Sequence, residues 1–526
     1  MRRAHLPVCA MFLLLASAPA AQLTDVSQTP NAANAGIKKS YVDQIGAGRG
    51  DVLTPGSSTF LIRRDPFRAI VRGRQLFQRK FTVGQGLGPR TGDGVGDIEA
   101  DVSHGAGLSD SCAACHSRPF GSAGVGGNVF TRPESRDAPH LFGLGLQEML
   151  ADEITGDLRA TRDAAVLQAV TGGAAVTLPL LSKGIEYGVI TGLPDGSVDA
   201  SGVEGVDPDL RVRPFFAEGT TISIREFAVG AFNAEMGLEA PDPDLVASAN
   251  LNQDVVTPAG MELTGSTDAI EAPPATTIFE DSDGDGIANE VPTSIVDFME
   301  FYLLNYFRPA IAEVTPDVVA GFELFTAIGC ADCHKPFLTI EEDRRVADTS
   351  TLYDPFQSNV IFNRLYTTAA TLYTEVDDGS GFPTIKEPNR DPFVVAGIFT
   401  DFKRHDLGPN FHERKFDGTL TTHLMTEPLW GVGSTAPYGH DGRSATLVDV
   451  ILRHGGEAES TTLAFVQLEE AQQEQILELL GALVLFAPPD TSSNLDPANT
   501  NDQDFPFSGA GSIDLSVLFN VQGDKE

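Results

Sequence analysis

The chain contains one short motif twice: Cys112-Ala113-Ala114-Cys115-His116 and Cys330-Ala331-Asp332-Cys333-His334. Cys-x-x-Cys-His is the attachment signature of c-type haem, in which two thiols form thioethers and the adjacent histidine binds the iron. Four of the five cysteines lie in these motifs. We therefore predict two covalently bound haem c groups. The predicted thioether cysteines are Cys112, Cys115, Cys330 and Cys333, and the predicted axial ligands are His116 and His334.

Two other interpretations of the cysteines are open. Two Cys-x-x-Cys pairs can form a four-cysteine zinc site, and a single pair can be a thioredoxin-like dithiol. Neither needs a histidine directly after both second cysteines, and no βαβ pattern surrounds either pair. The histidines therefore favour haem over zinc or a dithiol.

The first twenty residues have the pattern of a secretory signal peptide. Arg2 and Arg3 supply positive charge, Val8–Ala16 is apolar, and Ala18-Pro19-Ala20 is an A-x-A cleavage site. The apolar run is too short to cross a bilayer, and no later stretch of about 20 apolar residues exists. We therefore expect a periplasmic or secreted protein without a membrane span, with residues 1–20 removed.

The chain is strongly acidic, with a formal net charge of −37. Such a charge repels nucleic acid and anionic membranes, so we expect neither as a partner. It favours a basic redox partner. A small electron-donor protein, either a cytochrome c or a cupredoxin, is the predicted partner.

A helix with the pattern Gly-x-x-Leu-Phe precedes each motif. It is found in Ile70–Phe77 and again in Asp317–Phe325, where the apolar residues share one helical face. The repeat indicates an internal duplication of a haem-binding unit. Further helices are predicted at Ser294–Phe307 and Glu470–Phe486.

We therefore predict a mainly α fold, built from two cytochrome-c-like haem domains with long irregular loops and insertions. A chain of 526 residues exceeds one hydrophobic core. The predicted N-terminal haem domain spans 21–307, the C-terminal haem domain spans 308–487, and a polar tail spans 488–526.

The segment Leu429–Arg443 contains Thr435-Ala436-Pro437-Tyr438-Gly439-His440-Asp441-Gly442. It resembles a hallmark of the bacterial di-haem cytochrome c peroxidase and MauG superfamily. Leu-Trp-Gly at its start and the later His454-Gly455-Gly456-Glu457-Ala458 bring it closest to the branch of di-haem oxidoreductases. The resemblance implies that His454 caps the second haem opposite His334. A surface or helix-capping role for His454 is the alternative.

A second resemblance lies in Phe232-Asn233-Ala234-Glu235-Met236-Gly237. It is similar to Asn-Pro-Val-Glu-Met-Gly of these peroxidases, whose glutamate stands over an open first haem. The resemblance implies that Glu235 is catalytic and moves a proton during peroxide cleavage. Because the Pro-Val pair is missing, an ordinary solvated glutamate at a helix end is the alternative. The peroxidases also carry a tryptophan between the haems, whereas Trp430 is the only tryptophan here.

Two further histidines lie in recognisable surroundings. His140 follows the first motif closely enough to reach that haem, and the alternative is a supporting or surface role. His405, in Asp401–Gly408, resembles another element of the superfamily, and we predict either a structural role for it or a role in supporting a haem ligand.

The stretch that begins at Asp281 has the pattern of a calcium loop. Carboxylates at positions 1, 3 and 5, a glycine at 6, a carbonyl at 7 and an amide at 9 suit a hard cation. The predicted ligands are Asp281, Asp283, Asp285, Ile287 and Asn289. Position 12 is Pro292, so Glu290 would have to replace the usual glutamate. A solvated acidic turn is the alternative.

The resemblance implies an oxidoreductase with peroxidase-like activity. Hydrogen peroxide would be reduced at the first haem, with electrons relayed through the second. Two alternatives remain open. One is an oxygenase of O2, resembling the di-haem rubber oxygenase of the same superfamily, and the other is a non-enzymatic di-haem electron carrier.

Overall fold

A computed structural model describes residues 39–81, 111–116, 123–124, 128–129, 136–282, 284, 286–306, 308–312, 314–353, 365–415 and 417–485. The predicted signal peptide (1–20), the predicted tail (488–526), Asp283 and Asp285 lie outside these residues.

Helices and short strands alternate along the described chain. The helices are α1 (Tyr41–Ile45), α2 (Ser58–Arg64), α3 (Pro66–Gln78), α4 (Cys112–Cys115), α5 (Leu144–Gly172), α6 (Ile224–Ala234), α7 (Pro243–Leu251), α8 (Thr293–Leu304), α9 (Pro316–Ala327), α10 (Leu447–Arg453), α11 (Glu459–Gln467) and α12 (Glu470–Gly481). The strands are β1 (Asn128–Val129), β2 (Arg136–Asp137), β3 (Val176–Ser182), β4 (Ile185–Gly192), β5 (Val198–Asp199), β6 (Asp254–Val256), β7 (Glu262–Thr264), β8 (Ala310–Ile311), β9 (Phe337–Ile340), β10 (Ala347–Tyr353), β11 (Leu365–Thr371), β12 (Tyr373–Val376), β13 (Ile385–Pro388), β14 (Phe393–Ala396), β15 (Arg404–His405), β16 (Glu413–Arg414), β17 (Leu420–Thr421), β18 (Leu424–Met425) and β19 (Leu483–Val484).

The prediction of a mainly α fold made of cytochrome-c-like domains is wrong. Twelve helices are accompanied by many small sheets in the residues described. All of these sheets are antiparallel and have two or three strands. Except for β19, which follows α12, the strands lie in connections between helices, where the sequence predicts irregular loops.

The hairpin of β3 and β4 shows why the strands were not predicted from the sequence. Lys183 and Gly184 form its two-residue turn with φ angles of 48° and 78°. Positive φ at both positions is typical of the type I′ turn, whose twist matches that of paired strands. Pro179 and Gly188 interrupt the strand pattern, and the register shifts after Pro179. The alternation of apolar residues is therefore weak in the sequence.

The helices predicted before the two motifs are confirmed. They are α3, which contains Gly73, and α9, which contains Gly321. In α9 the first residue is Pro316, and the Thr315 side chain accepts a hydrogen bond from the Val318 amide. The sequence therefore specifies where this helix begins.

The two copies also share one packing arrangement. α3 packs on α8, and α9 packs on α12.

The predicted helix at 294–307 is α8, and the one predicted at 470–486 ends at Gly481 as α12. It ends early because Leu483 and Val484 pair with Ile311 and Ala310 as strands β19 and β8.

The largest buried core takes side chains from both sides of position 308. Phe77 and Phe298 belong to it together with Ile398 and Trp430. A smaller core lies between α9 and α12 and includes Phe325. The domain boundary at 308 stays a prediction. No helix in the described part of the chain is long and apolar enough to cross a membrane.

A buried ion cluster fixes α6 against α8. The Arg225 guanidinium donates hydrogen bonds to Asp242 at 2.9 and 2.6 Å, to Asp297 at 2.9 Å and to Glu300 at 2.8 Å. Its side chain is fully buried. Removing one partner of such a cluster leaves an uncompensated charge, so it holds the two helices in one relative position. α6 ends next to Glu235.

Candidate haem sites

The two Cys-x-x-Cys-His motifs fold into similar tight turns. Cys112–Cys115 forms a single helical turn, and the His116 amide donates to the Cys112 carbonyl at 3.0 Å. Cys330–Asp332 forms a 3₁₀ turn, and the His334 amide donates to the Cys330 carbonyl at 3.0 Å. Each turn therefore brings both cysteines and the histidine to one short loop, as attachment to a porphyrin edge requires.

The thiol chemistry argues against a dithiol. Burial raises the pKa of Cys112 and of Cys330 to about 12 each. A reactive dithiol needs a lowered thiol pKa, because the thiolate is the nucleophile. Cys112 packs against the large core and Cys330 against the small core. This separation favours two independent sites over one four-cysteine zinc ion.

Both motif histidines donate a hydrogen bond from Nδ1 to a backbone carbonyl, as metal-binding histidines do. Nδ1 of His116 donates to the Pro139 carbonyl at 2.7 Å, and Nδ1 of His334 donates to the Phe399 carbonyl at 3.0 Å. A carbonyl can only accept, so Nδ1 carries the hydrogen and Nε2 keeps its lone pair. Burial lowers the pKa of both histidines to about 4, so both rings are neutral near pH 7. These residues fit a haem iron at Nε2.

His454 makes the same kind of hydrogen bond from its Nδ1. It caps the end of α10, and its Nδ1 donates to the Val450 carbonyl at 2.7 Å. Burial lowers its pKa, and it also acts electrostatically on His334. The Phe411 ring lies edge-on at 5.0 Å between centroids. His454 therefore lies in the neighbourhood of the second motif, and its role as a ligand stays a prediction.

His140 is arranged differently. Its Nε2 donates to the Trp430 carbonyl at 2.9 Å, and its Nδ1 accepts from the Phe142 amide at 3.2 Å. Burial lowers its pKa to about 4. Both ring nitrogens are thus occupied by the backbone. In this structure His140 joins the Trp430 segment to the segment that carries the Pro139 carbonyl, which is a supporting role.

Glu235 lies at the C-terminal end of α6. It is the cap residue of that helix, and the chain then turns at Gly237, whose φ is 65°. Its side chain is partly buried, and its Oε2 atom is inaccessible to solvent. Its position over the first haem stays a prediction.

Residues 361–483 match the family model described as "Di-haem oxidoreductase, putative peroxidase". The match confirms the family resemblance. It includes Trp430, His440 and His454, whereas both attachment motifs lie before it. No curated protein matches the chain. The di-haem oxidoreductase family implies haem cofactors, and the motifs indicate where they would be held.

The predicted calcium loop is only partly described. Asp281 accepts hydrogen bonds from the Gly284 amide at 2.8 Å and from the Gly286 amide at 3.0 Å. Glu290 is buried, and its Oε2 accepts from the Glu239 amide at 2.7 Å. Glu239 in turn accepts from the Ser282 amide. The loop is therefore tied to the protein body, while calcium itself stays a prediction.

An ionic cluster that the sequence does not predict lies beside the second motif. Nε2 of His405 lies 3.0 Å from Oδ2 of Asp401, and Nδ1 lies 2.7 Å from Oε2 of Glu457. The ligand-type atoms of Cys333, Asp401 and His405 all lie within 4.8 Å of one another. A reduced Cys333 would make this a metal-binding trio, but a thioether sulfur would not. No spacing in the sequence relates position 405 to position 457.

Proposed function

We propose that this protein is an exported di-haem c-type peroxidase. It would reduce hydrogen peroxide at a first haem held by Cys112, Cys115 and His116. Electrons would arrive through a second haem held by Cys330, Cys333, His334 and His454. The reaction consumes one peroxide, two electrons and two protons and releases two waters.

The observation that carries this proposal is the difference between two histidines. His454 donates from Nδ1, and no hydrogen bond to its Nε2 is found among the described residues, whereas His140 uses both ring nitrogens on backbone groups. A second haem would therefore be closed by His454, and a first haem would be open to a small molecule. A closed iron transfers electrons, and an open one binds peroxide or O2.

The histidines and the glutamate of the two sites would then have the following roles. When bound, the haem iron supplies the redox chemistry. His116 and His334 orient their Nε2 atoms through the carbonyls of Pro139 and Phe399. Glu235 accepts the proton of one peroxide oxygen and returns it to the other, which leaves as water.

The donor would be a small protein with a basic surface, because the chain carries a net charge of −37. Complementary charge increases the association rate and weakens with salt. A cytochrome c or a cupredoxin fits this description.

Residues 1–20 would direct export, and mass spectrometry of the mature N-terminus tests that part of the proposal.

The deciding experiment is electron paramagnetic resonance of the oxidised holoprotein before and after peroxide, combined with peroxide consumption from a reduced donor. We expect one haem in the high-spin state and one in the low-spin state, with turnover. Glu235→Gln should abolish most turnover and keep both haems, while Glu474→Gln, an exposed glutamate on α12, serves as the control. Two low-spin haems without turnover would indicate an electron carrier. Stable O2 binding without peroxide turnover would indicate an oxygenase.

A further inference from the structure

His405 is held between two carboxylates, one at each ring nitrogen. The distances are 3.0 Å to Asp401 and 2.7 Å to Glu457. Ionised carboxylates only accept hydrogen bonds, so both ring nitrogens carry hydrogen and the ring is an imidazolium. Burial opposes this charge, but the hydrogen bonds to Asp401 and Glu457 raise the pKa of His405. These two hydrogen bonds hold the ring between the carboxylates.

The first carboxylate belongs to the segment that orients His334. Asp401 lies two residues after Phe399, whose carbonyl accepts from His334. The amide of Thr400 donates to the Lys335 carbonyl at 3.1 Å, next to the second motif. The Asp401 side chain is 2% exposed. This end of the bridge is therefore firmly held.

The second carboxylate belongs to the loop that carries His454. Glu457 lies three residues after His454, and its Oε1 accepts from the Asp406 amide at 2.9 Å. A Cβ on Gly456 would lie 2.1 Å from the Asp406 carbonyl, so the two segments touch at their backbones. The Gly455 amide also donates to the Leu407 carbonyl at 3.0 Å. The loop and the 401–408 segment thus form one packed unit.

We propose that His405 is a positioning residue for the second haem, which fixes the loop of His454 against the segment whose Phe399 carbonyl orients His334. It thereby couples the two axial histidines through a single ionic bridge. This inference rests on the proposed role of His454 as the sixth ligand. His405 itself does not touch the iron in this arrangement.

Removal of His405 should leave the protein folded. Asp401 keeps a hydrogen bond from the Lys403 amide at 2.9 Å, and Glu457 keeps those with Asp406. The backbone contacts between the two segments also remain. What is lost is the bridge that sets the angle of the His454 loop, so the effect should appear in the coordination of the second haem.

The test compares His405→Ala with His412→Ala in the holoprotein. His412 lies four residues after the 401–408 segment, and its Nε2 contacts Asp406 at 2.8 Å. The measurements are the low-spin bis-histidine resonance, the reduction potential of that haem and thermal unfolding. We expect His405→Ala to lose at least half of the low-spin resonance and to shift the potential, and added imidazole to restore the resonance. His412→Ala should keep both.

A second variant keeps the proposal testable if His405→Ala does not accumulate. Glu457→Ala removes the bridge from its exposed end, where the side chain is 53% exposed. It should give the same spectral change, and the double variant should add little to it. A full low-spin resonance with an unchanged potential in either single variant would overturn the proposal. If the wild-type protein lacks a bis-histidine resonance, the assignment of His454 fails instead.

Discussion

The backbone carbonyl oxygen of Gln475 lies 1.9 Å from the point where a Cβ on Gly321 would stand. The helices α9 and α12 therefore cross at direct backbone contact. The other copy has the same feature, since a Cβ on Gly73 would lie 2.4 Å from the Phe298 carbonyl oxygen on α8. The glycine of each Gly-x-x-Leu-Phe pattern thus permits the close crossing of two helices before an attachment motif.

Gly321→Ala should destabilise the protein by about 1–3 kcal/mol, because the added methyl forces two helices apart. Urea unfolding of the holoprotein, followed by circular dichroism, measures this loss. The control is Gly156→Ala on α5, where a Cβ would meet nothing within 4 Å. That change should stabilise the protein by about 0.5–1 kcal/mol through helix propensity. Equal changes in the free energy of unfolding for the two substitutions would contradict direct backbone contact between α9 and α12.

Each motif should hold its own haem. The double variant Cys112→Ala/Cys115→Ala should retain one covalent haem, and Cys330→Ala/Cys333→Ala should retain the other, because the motifs pack against different cores. A pyridine haemochrome assay on denatured protein counts them, with the wild type expected to give two. Loss of both haems in one variant would contradict independent attachment, provided that circular dichroism still indicates a folded chain.

His140→Ala should lower stability by about 1–3 kcal/mol, because it leaves the Trp430 carbonyl and the Phe142 amide without their partner. The resting spectrum of the first haem should not change. Chemical unfolding and the visible absorption spectrum provide the two readouts. A changed resting spectrum with unchanged stability would instead identify His140 as an iron ligand.

Glu300 should make stability depend on pH. Burial raises the pKa of Glu300 to about 7, although the Arg225 guanidinium lies at 2.8 Å and opposes the shift. The pKa in the folded protein exceeds the ordinary glutamate value of 4.5. The contribution of Glu300 to the free energy of unfolding is therefore complete below pH 4.5 and is lost as pH rises through about 7. The shift corresponds to about 3 kcal/mol as an upper bound.

Glu300→Gln keeps the shape and removes this titration. The free energy of unfolding of the variant, measured by urea at several pH values between about 4 and 8, should fall less steeply with rising pH than that of the wild type. Glu474→Gln, on the surface of α12, should leave the wild-type slope unchanged. Identical slopes for all three proteins would show that Glu300 does not titrate in this range.

Calcium binding can be tested through stability. If the loop binds calcium, chelation should lower the melting temperature of the wild type, and added calcium should restore it. Asp281→Ala should remove this dependence, since Asp281 is the first predicted ligand. The same variant also loses two backbone hydrogen bonds, so its melting temperature without calcium sets the baseline. A wild type that does not respond to calcium would favour the solvated acidic turn.

Part of the fold was readable from local patterns. The helices before each motif and the helix α8 have apolar residues at helical spacing, and Pro316 with Thr315 marks the start of α9. The strands were not readable in this way. The hairpin of β3 and β4 carries Pro179 and Gly188 inside its strands, and its pairing is decided by contacts with α5.

The two attachment motifs follow from the sequence alone, because adjacency along the chain places two thiols and an imidazole on one short turn. The hydrogen bonds that each histidine nitrogen can make depend instead on the tertiary structure. His116 finds its acceptor 23 residues away, His334 finds its acceptor 65 residues away, and His405 meets Glu457 across 52 residues. Hydrogen-bond partners so far apart in the chain are chosen by packing, and no local spacing specifies them.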